Sequence, residues 1–276
     1  MKYIDLHVHS NKSDGTLSPT QIVELAKTLD LYAIALTDHD TISGIDEAME
    51  AASILGVILI PGIEISSEFN GGDLHILGLN IDYKNVAFNK LIDILQDERK
   101  QRNVRIIELM RQDGVDISED KLRDKFGDAS ITRAHFARYL VETGYINHKD
   151  MAFAKYLNKG RPYYVPRQRV SPKDAINIIL EAGGHPVLAH PLLYGLGRDR
   201  LMSLFNYLKE LGLQGIEALH SLNSPADDRM LLGAAKRYDL FITGGSDFHG
   251  ANKPNIQLGI GKGNLKIPAE ILDNII

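Results

Sequence analysis

Near its N-terminus the chain carries Asp5-Leu6-His7-Val8-His9-Ser10, and Asp14 follows in a polar loop. In a β-strand, side chains two positions apart point to the same face, so His7 and His9 project together while the aliphatic residues pack on the other face. Histidine is the commonest metal ligand in proteins, and Asp14 is close enough to add a carboxylate. The stretch therefore predicts half of a metal site. A chance pair of histidines on a half-exposed strand is the alternative.

The composition of the 276 residues limits the class of protein. Hydrophobic residues make up 44% and charged residues 24%, which is ordinary for a globular protein with one large core, or with a core domain and a smaller inserted one. The net charge of -5 argues against a strongly basic nucleic-acid surface, so we expect no duplex DNA partner. The sequence points to no protein partner.

The chain contains no cysteine, which excludes a disulfide framework and a zinc–thiolate site. Any metal must therefore be held by His, Asp and Glu side chains. No secretory signal pattern is visible, and no apolar run approaches the roughly 20 residues of a membrane span. We therefore expect a cytoplasmic protein that does not bind a membrane.

Strands and helices alternate in the two outer parts of the chain. Ser18-Pro19 supplies a helix cap and a proline for the first helical position, and residues 32–37 form a nearly continuous apolar run. Such runs are typical of strands that are covered on both faces in a parallel sheet. The alternation resumes at Ser171-Pro172 and continues to a last strand at residues 240–245. Residues 1–84 and 161–276 are therefore predicted to form one α/β domain.

Residues 85–160 show a different periodicity. Apolar residues recur at helical spacing in one long helix and in shorter helices near residues 119–126, 132–143 and 149–157. A helical block between two parts of a β/α pattern indicates an inserted subdomain, which we expect to cap the substrate. Four basic residues of the long helix are expected to form a solvated face: Arg99, Lys100, Arg102 and Arg105.

Seven of the ten histidines lie at or beside the ends of predicted strands, together with four carboxylates. In a barrel of parallel strands, the carboxyl ends of the strands meet at one mouth, where active sites are built. A structural zinc ion takes about four ligands and a catalytic one about three from the protein, so this set predicts two or three ions, with Glu64 as a bridging ligand. Nitrogen and oxygen ligands without thiolate suit Mn, Fe or Zn. The set comprises His7, His9, His39, His75, His190, His220, His249, Asp14, Asp38, Glu64 and Asp247.

These residues lie in short motifs that occur in a recognisable order. The motifs are residues 5–10 with Asp14, Thr37-Asp38-His39-Asp40, Pro61-Gly62-Ile63-Glu64, His75, Ala189-His190-Pro191 and Gly245-Ser246-Asp247-Phe248-His249. Together they resemble the polymerase-and-histidinol-phosphatase (PHP) family of metal-dependent phosphoesterases. The resemblance implies a distorted (β/α)7 barrel with a three-metal site at its mouth. It also implies three ligand sets: His7, His9, Glu64 and Asp247 for one ion, Glu64, His75 and His190 for the second, and Asp14, His39 and His249 for the third.

Two further motifs indicate a particular branch of this family. Residues 130–138, Ser-Ile-Thr-Arg-Ala-His-Phe-Ala-Arg, and residues 160–166, Gly-Arg-Pro-Tyr-Tyr-Val-Pro, resemble a branch of the family that acts on nucleotides. That branch removes the 3'-phosphate of nucleoside 3',5'-bisphosphates, and some members trim short RNA from the 5' end. The resemblance implies that Arg133, His135 and Arg161 contact the substrate. Arginine recognises phosphate bidentately, and Arg133 lies in the first turn of a predicted helix, whose N-terminus favours anions. Solvated surface charge is the alternative for the arginines, and a helix-face position for His135.

The expected reaction is hydrolysis of a nucleotide phosphate ester. A hydroxide that bridges two ions would be the nucleophile, because metal coordination lowers the pKa of water from about 15.7 toward 7. Arg133 would stabilise charge on the phosphoryl oxygens, and His220 or Asp247 would protonate the leaving group. His220 could equally contact a phosphate or be a buried structural residue. One alternative is a phosphatase of a small monoester such as histidinol phosphate, and another is a non-catalytic module in which metals stabilise the fold.

Overall fold

The computed structural model describes residues 2–70, 72–167 and 169–276, and the chain divides into two compact units. The larger unit consists of Met1–Ile92 with Arg169–Ile276, and the smaller unit consists of Asp93–Gln168. These divisions fall later in the chain than the predicted junctions after residues 84 and 160, and the first lies inside a helix, Val86–Gln112. A role of the helical block in capping the substrate stays a prediction.

The strands of the larger unit form a nearly closed barrel. They are β1 (Tyr3–Val8), β2 (Leu31–Leu36), β3 (Ile58–Phe69), β4 (Gly72–Leu79), β5 (His185–Leu188), β6 (Gly215–His220), β7 (Phe241–Gly245) and β8 (Ile267–Pro268). Within the described residues they make one eight-stranded sheet in the order β7-β6-β5-β4-β3-β2-β1-β8. The chain after β7 lies against β1, since the Asp247 amide donates to the His7 carbonyl over 2.9 Å and the His9 amide donates to the Phe248 carbonyl over 3.0 Å. The predicted α/β barrel is confirmed.

Strand β4 departs from the parallel arrangement that the sequence led us to expect. It pairs antiparallel with both β3 and β5, because only residues 70 and 71 separate β3 from β4 and a parallel pairing needs a crossover of about a dozen residues or more. Strand β3 is long, with 12 residues. It continues through Pro61-Gly62 to Phe69 and therefore carries Glu64 inside the strand.

Two helices of the larger unit begin at the serine caps that the sequence predicted, Ser18 and Ser171, and a third begins at Ser224. The side chains of Ser18, Ser171 and Ser224 each accept a hydrogen bond from a backbone N–H of the first turn, and a proline follows each serine. Such caps satisfy an N–H that has no partner inside the helix, and proline suits the first helical position. The helices of this unit, numbered along the whole chain, are α1 (Pro19–Thr28), α2 (Ile45–Leu55), α7 (Pro172–Glu181), α8 (Arg198–Glu210) and α9 (Pro225–Arg237).

One apolar cluster fixes the strand ends from which the first site residues extend. Val8 of β1 and Leu36 of β2 belong to the same buried cluster as Ile22 of α1 and Ala52 of α2. Full burial of a large aliphatic side chain contributes about 1.5–3 kcal/mol. The carboxyl ends of β1 and β2 are therefore held firmly just before the chain reaches the predicted metal ligands.

The smaller unit is helical, as predicted. It contains most of α3 (Val86–Gln112), α4 (Glu119–Phe126), α5 (Arg133–Glu142) and α6 (Lys149–Ala152), which continues as a π-helical turn over Phe153–Leu157. Its core includes Met110 of α3 and Leu140 of α5. In the part of the chain that the structure describes, no helix combines the length and the apolar character that a bilayer crossing requires.

The prediction that four basic residues of α3 form a solvated face is wrong for two of them. Arg99 and Arg102 are only 5% and 6% exposed, whereas Lys100 and Arg105 are exposed. Residues three positions apart share a face of a helix, and the loop before α5 covers this face. A guanidinium nitrogen of Arg102 donates to the backbone carbonyl of Ile131 in that loop over 3.3 Å.

Candidate metal centre

The nine predicted metal ligands all belong to the larger unit, and most lie at the ends of its strands. Glu64 and His75 are exceptions, because they lie inside β3 and β4. The others are His7 at the end of β1, His9 and Asp14 after β1, His39 after β2, His190 after β5, and Asp247 and His249 after β7. Within each of several groups, their ligand atoms lie within 4.8 Å of one another.

Glu64 is the centre of this cluster. Its carboxylate is fully buried, and Oε1 lies 2.7 Å from Nδ1 of His75 and 2.9 Å from Nε2 of His190. A carboxylate whose two oxygens each face several imidazoles is suited to bridge two ions. The second oxygen, Oε2, lies 3.0 Å from Nδ1 of His39, 3.2 Å from Nε2 of His9 and 3.3 Å from Nε2 of His7.

Two further carboxylates extend the cluster through His249. Oδ1 of Asp247 lies 3.4 Å from Nδ1 of His249 and 3.5 Å from Nε2 of His9. Oδ1 of Asp14 lies 3.1 Å from Nε2 of His249 and 3.8 Å from Nε2 of His39. The His249 ring therefore presents one nitrogen to each carboxylate and joins the Asp14 loop to the chain after β7.

Burial and neighbouring charges set the protonation of these groups. Burial acts to raise the pKa of Glu64, but the surrounding imidazoles, His39 foremost, outweigh it and hold that pKa well below its usual range. Burial of Asp247 is likewise outweighed, here by the ammonium of Lys253 first, and its pKa also lies well below the usual range. Burial and adjacent imidazoles hold the pKa of His9 well below its ordinary value. Carboxylate anions and a neutral imidazole are the forms that bind metal ions.

The residues of the cluster fit divalent metal ions. Nε2 of His7, Nε2 of His9 and Oε2 of Glu64 are buried and form no hydrogen bond despite their close contacts. The large majority of buried side-chain polar atoms have a hydrogen-bond partner, and leaving one without a partner costs about 1–3 kcal/mol. Imidazole nitrogens and carboxylate oxygens are ligands that Mn, Fe and Zn accept, so bound ions would satisfy these atoms.

Within the described residues, four overlapping groups of side chains could each hold an ion, because their ligand atoms lie within 4.8 Å of one another. Glu64 belongs to two of these groups, in keeping with a bridging position. The assignment of each ligand to a particular ion stays a prediction. The groups are His9, Asp14, His39 and His249; His7, Glu64 and His190; His7, His9 and Asp247; and His39, Glu64 and His75.

The backbone is held in an unusual conformation at two of the predicted ligands. His190 has a φ of 29° and Asp247 a φ of 56°, values that are uncommon for residues other than glycine. Such conformations persist where the surrounding structure imposes them, and they cluster at functional sites. Gly245 allows the close approach of β7 to β1, since a Cβ at this position would lie 2.2 Å from Cβ of His7 and 2.8 Å from Oε1 of Glu217.

Glu217 on β6 is a functional residue that sequence reasoning missed. Its Oε1 lies 3.0 Å from Nδ1 of His7, and its Oε2 accepts a hydrogen bond from the His190 amide over 2.7 Å. A carboxylate behind a ligating histidine fixes the tautomer and orientation of the ring. The contact with His7 spans 210 positions of the chain, so the available signal was a lone glutamate in the apolar stretch 215–220.

Lys253, which the sequence also did not single out, and His220 both face the outer oxygen of Asp247. Nζ of Lys253 lies 2.5 Å from Oδ2 of Asp247, and Nε2 of His220 lies 3.8 Å from the same oxygen. The buried His220 ring accepts a hydrogen bond at Nδ1 from the Leu222 amide over 3.2 Å. A neutral His220 therefore carries its proton on Nε2 and is a donor at the edge of the cluster.

The three substrate contacts predicted in the helical block occupy different environments in the smaller unit. Arg133 is the first residue of α5 and is half-buried, whereas Arg161 is exposed. His135 is buried, its Nδ1 accepts a hydrogen bond from the Thr132 amide over 3.0 Å, and its ring packs edge-on against Phe126. His135 thus helps to cap α5. Contact of these three residues with a substrate stays a prediction.

Comparison with known proteins assigns the chain to a family. The PHP domain matches residues 5–163, more than half of the chain. The chain belongs to the PHP family. This confirms the family that the motifs indicated, and its match begins at Asp5, at the start of the His7 and His9 motif.

Proteins that are similar over nearly the whole chain have named activities. A 5'-3' exoribonuclease from Haemophilus influenzae is 38% identical over 248 residues, which cover 90% of each protein. A 3',5'-nucleoside bisphosphate phosphatase from Chromobacterium violaceum is 34% identical over 267 residues, which cover 94% of this chain and 91% of the relative. A solved structure from Bifidobacterium adolescentis, described as a metal-dependent phosphoesterase, has a TM-score of 0.87 at 32% identity and covers 99% of this chain and 95% of its own. The predicted enzyme class, a phosphoric ester hydrolase, is confirmed.

Proposed function

We propose that this protein is a metal-dependent phosphoesterase that hydrolyses nucleotide phosphate esters. The most concrete substrates are nucleoside 3',5'-bisphosphates, which would lose the 3'-phosphate, and short RNA with a 5'-phosphate. The observation that carries the proposal is the buried Glu64 carboxylate in contact with five imidazoles. The names of the exoribonuclease and bisphosphate phosphatase relatives support nucleotides as the substrate class.

Two or three divalent ions, Mn, Fe or Zn, are the proposed cofactors. When bound, such ions stabilise charge on phosphoryl oxygens as Lewis acids and make water a stronger acid. Two of the side-chain groups support the first and third of the ligand sets proposed here, and the second set is supported by the contacts of His75 and His190 with Oε1 of Glu64. We assign His7, His9, Glu64 and Asp247 to the first ion, Glu64, His75 and His190 to the second, and Asp14, His39 and His249 to the third.

Side chains of the protein have defined roles in the proposed hydrolysis. Water gives its oxygen to phosphorus and a proton to the ribose oxygen, as the P–O bond to that oxygen breaks. His220 donates a hydrogen bond from Nε2 to the leaving oxygen while charge develops there, because its Nδ1 is engaged with the Leu222 amide. Asp247 is poorly placed to supply a proton, since its carboxylate holds Lys253 at 2.5 Å, and its role is that of a ligand.

The proposed contacts from the smaller unit rest on residue chemistry. A guanidinium at the first position of a helix is combined with the N-terminal N–H groups that favour anions, and Arg133 has this position in α5. We propose that Arg133 stabilises the phosphoryl oxygens. Arg161 and His135 complete the proposed substrate contacts.

A cavity beside the cluster supports a substrate larger than a simple monoester. It has a volume of about 360 Å³ and reaches His75 and His190. Its other walls are mainly apolar and include Phe69, Leu193 and Leu204. Pockets for small organic ligands typically have this size and lining, so the cavity suits a nucleoside next to the phosphate.

The test is product release from the manganese-loaded protein with three esters: adenosine 3',5'-bisphosphate, histidinol phosphate and a short 5'-phosphorylated RNA. We expect a preference for the bisphosphate or the RNA, lost in His9→Ala and reduced in Arg133→Ala. His148→Ala is the matched control, because it removes an exposed histidine that is not among the proposed ligands, and it should retain activity.

Two other outcomes would contradict the proposal in different ways. A preference for histidinol phosphate would leave the metal centre intact but contradict the nucleotide assignment. Turnover of none of the three esters by protein with bound metal would point instead to a non-catalytic module. Nucleotide and RNA substrates also lead us to propose a cytoplasmic location, where both occur.

A further inference from the structure

A second cavity of the larger unit adjoins the metal centre at Asp247 and His220. Its volume is about 410 Å³, and two lysines, Lys253 and Lys262, line it. Leu193 and Leu222, which are 49% and 47% exposed, supply apolar surface at its walls. The cavity therefore combines positive charge and apolar surface directly beside a proposed metal ligand.

Asp247 connects this cavity to the metal ligands. Its Oδ1 faces the imidazoles of His9 and His249 at 3.5 Å and 3.4 Å, whereas its Oδ2 faces the ammonium of Lys253 at 2.5 Å. One oxygen can therefore coordinate an ion while the other holds the lysine in place. A lysine ammonium has three N–H donors, so two donors remain for a group in the cavity.

Lys262 adds a further donor to the same space. His220 also lines the cavity, with the Leu222 amide donating to its Nδ1 over 3.2 Å, and its Nε2 serves the leaving oxygen instead. Lys262 is exposed at the cavity wall. Charge-assisted hydrogen bonds to phosphate are roughly twice as strong as neutral ones, and an anion is the ligand that uses all of these donors.

We infer that this cavity binds the phosphate of the substrate that is not hydrolysed. The inference rests on the proposed function, because a nucleoside 3',5'-bisphosphate brings two phosphates and only the one to be cleaved lies on the metal centre. Lysine is a compact charge on a flexible stem and binds phosphate without strict geometry. Lys253 and Lys262 therefore set the preference for bisphosphates over monophosphates, and the leucines pack against the sugar.

A binding measurement on the metal-free protein tests the cavity without any turnover. Adenosine 5'-monophosphate carries only the phosphate in question, and adenosine lacks it, so calorimetric titration with both ligands isolates the contribution of that phosphate. We expect Lys253→Met and Lys262→Met each to weaken binding of the monophosphate about tenfold, the value of one charge-assisted hydrogen bond. Lys236→Met, an exposed position of α9 that does not line the cavity, is the matched control. Unchanged affinity in both cavity variants overturns the inference.

Kinetics of the manganese-loaded protein test the same lysines in the reaction. The quantity to compare is kcat/KM for adenosine 3',5'-bisphosphate divided by kcat/KM for adenosine 3'-monophosphate. We expect this ratio to fall about tenfold in Lys262→Met and to stay constant in Lys236→Met. Equal losses for both substrates in Lys253→Met, with no effect of Lys262→Met, would show that Lys253 only positions Asp247 and would overturn the inference. If the wild-type protein hydrolyses neither ester, the proposed function fails, and the binding measurement still decides what the cavity holds.

Discussion

Both units of the molecule bury polar side chains, but they do so in different ways. In the larger unit, Nε2 of His9 lies 3.2 Å from Oε2 of Glu64, and both atoms are buried without a hydrogen bond. In the smaller unit, the buried His135 accepts a hydrogen bond from the Thr132 amide, and the buried Arg102 donates to a backbone carbonyl. The first arrangement brings imidazoles against carboxylates, and the second joins side chains to the backbone.

The physical basis of this difference is the cost of burying a polar atom. A buried group that has its hydrogen bond contributes modestly to stability, whereas one without a partner costs about 1–3 kcal/mol. Imidazoles that surround carboxylates can be satisfied by metal ions.

The largest effect is expected at Glu64. Glu64→Gln keeps the size of the side chain but removes the charge that faces five imidazoles. Lewis-acid stabilisation by metal ions is worth several kcal/mol, so we expect kcat/KM to fall on the order of a thousandfold, together with a loss of bound metal. Glu68→Gln on the exposed end of the same strand is the control, and equal behaviour of the two variants would contradict the role of Glu64.

Metal removal should change the stability of the wild-type protein by a smaller amount. An ion present at 100 times its Kd stabilises the folded state by about 2.7 kcal/mol, because the buried imidazoles and carboxylates bind it only when folded. Urea unfolding with manganese and with a chelator measures this difference. We expect this difference to become smaller in Glu64→Gln, because the ligands around Asp14 remain, and a wild-type protein that unfolds at the same urea concentration in both conditions would count against a metal centre.

Glu217→Gln tests whether the Glu217 carboxylate orients the proposed ligands His7 and His190. The substitution removes the carboxylate that contacts Nδ1 of His7 and accepts from the His190 amide. Changes of this kind typically lower metal affinity about 10–100-fold, which titration of the metal-free protein measures. Glu210→Gln at the exposed end of α8 should bind metal like the wild type. If the Glu217→Gln variant binds metal with wild-type affinity, Glu217 does not orient His7 and the prediction is contradicted.

The smallest effect is expected in the smaller unit. Thr132→Ala removes the hydroxyl that accepts from the Ala134 amide at the start of α5, and loss of such a cap typically costs about 1 kcal/mol of stability. Metal affinity should not change. Thr132→Ser keeps the hydroxyl and should restore most of the lost stability, which urea unfolding measures. A loss of metal binding in Thr132→Ala would contradict the view that the buried polar groups of the smaller unit are independent of the metal cluster.

The sequence predicted the parts of the molecule that depend on local periodicity. His7 and His9 share a face because strand side chains alternate, and helices α4 and α5 have an apolar spacing that is visible in the chain. Histidines at successive strand ends were informative because the ends of barrel strands converge. The family resemblance added the grouping of these residues into ligand sets, which stays a prediction.

The sequence did not reveal features that depend on contacts between distant parts of the chain. Glu217 contacts His7 across 210 positions, and strand periodicity alone does not place the two side chains against each other. Lys253 lies beyond the last parallel strand, where no regular element indicates its direction. The burial of Arg99 and Arg102 depends on the loop before α5 covering one face of α3, which a helical pattern does not show.

The most direct test of the metal centre is anomalous diffraction from crystals grown with manganese. We predict two or three anomalous peaks among the nine proposed ligands, with Glu64 bound to more than one ion. In crystals of Glu64→Gln the peaks beside Glu64 should disappear, whereas a peak among Asp14, His39 and His249 should remain. A wild-type crystal with no peak at this cluster, or with peaks only elsewhere on the protein, would contradict the proposed metal centre.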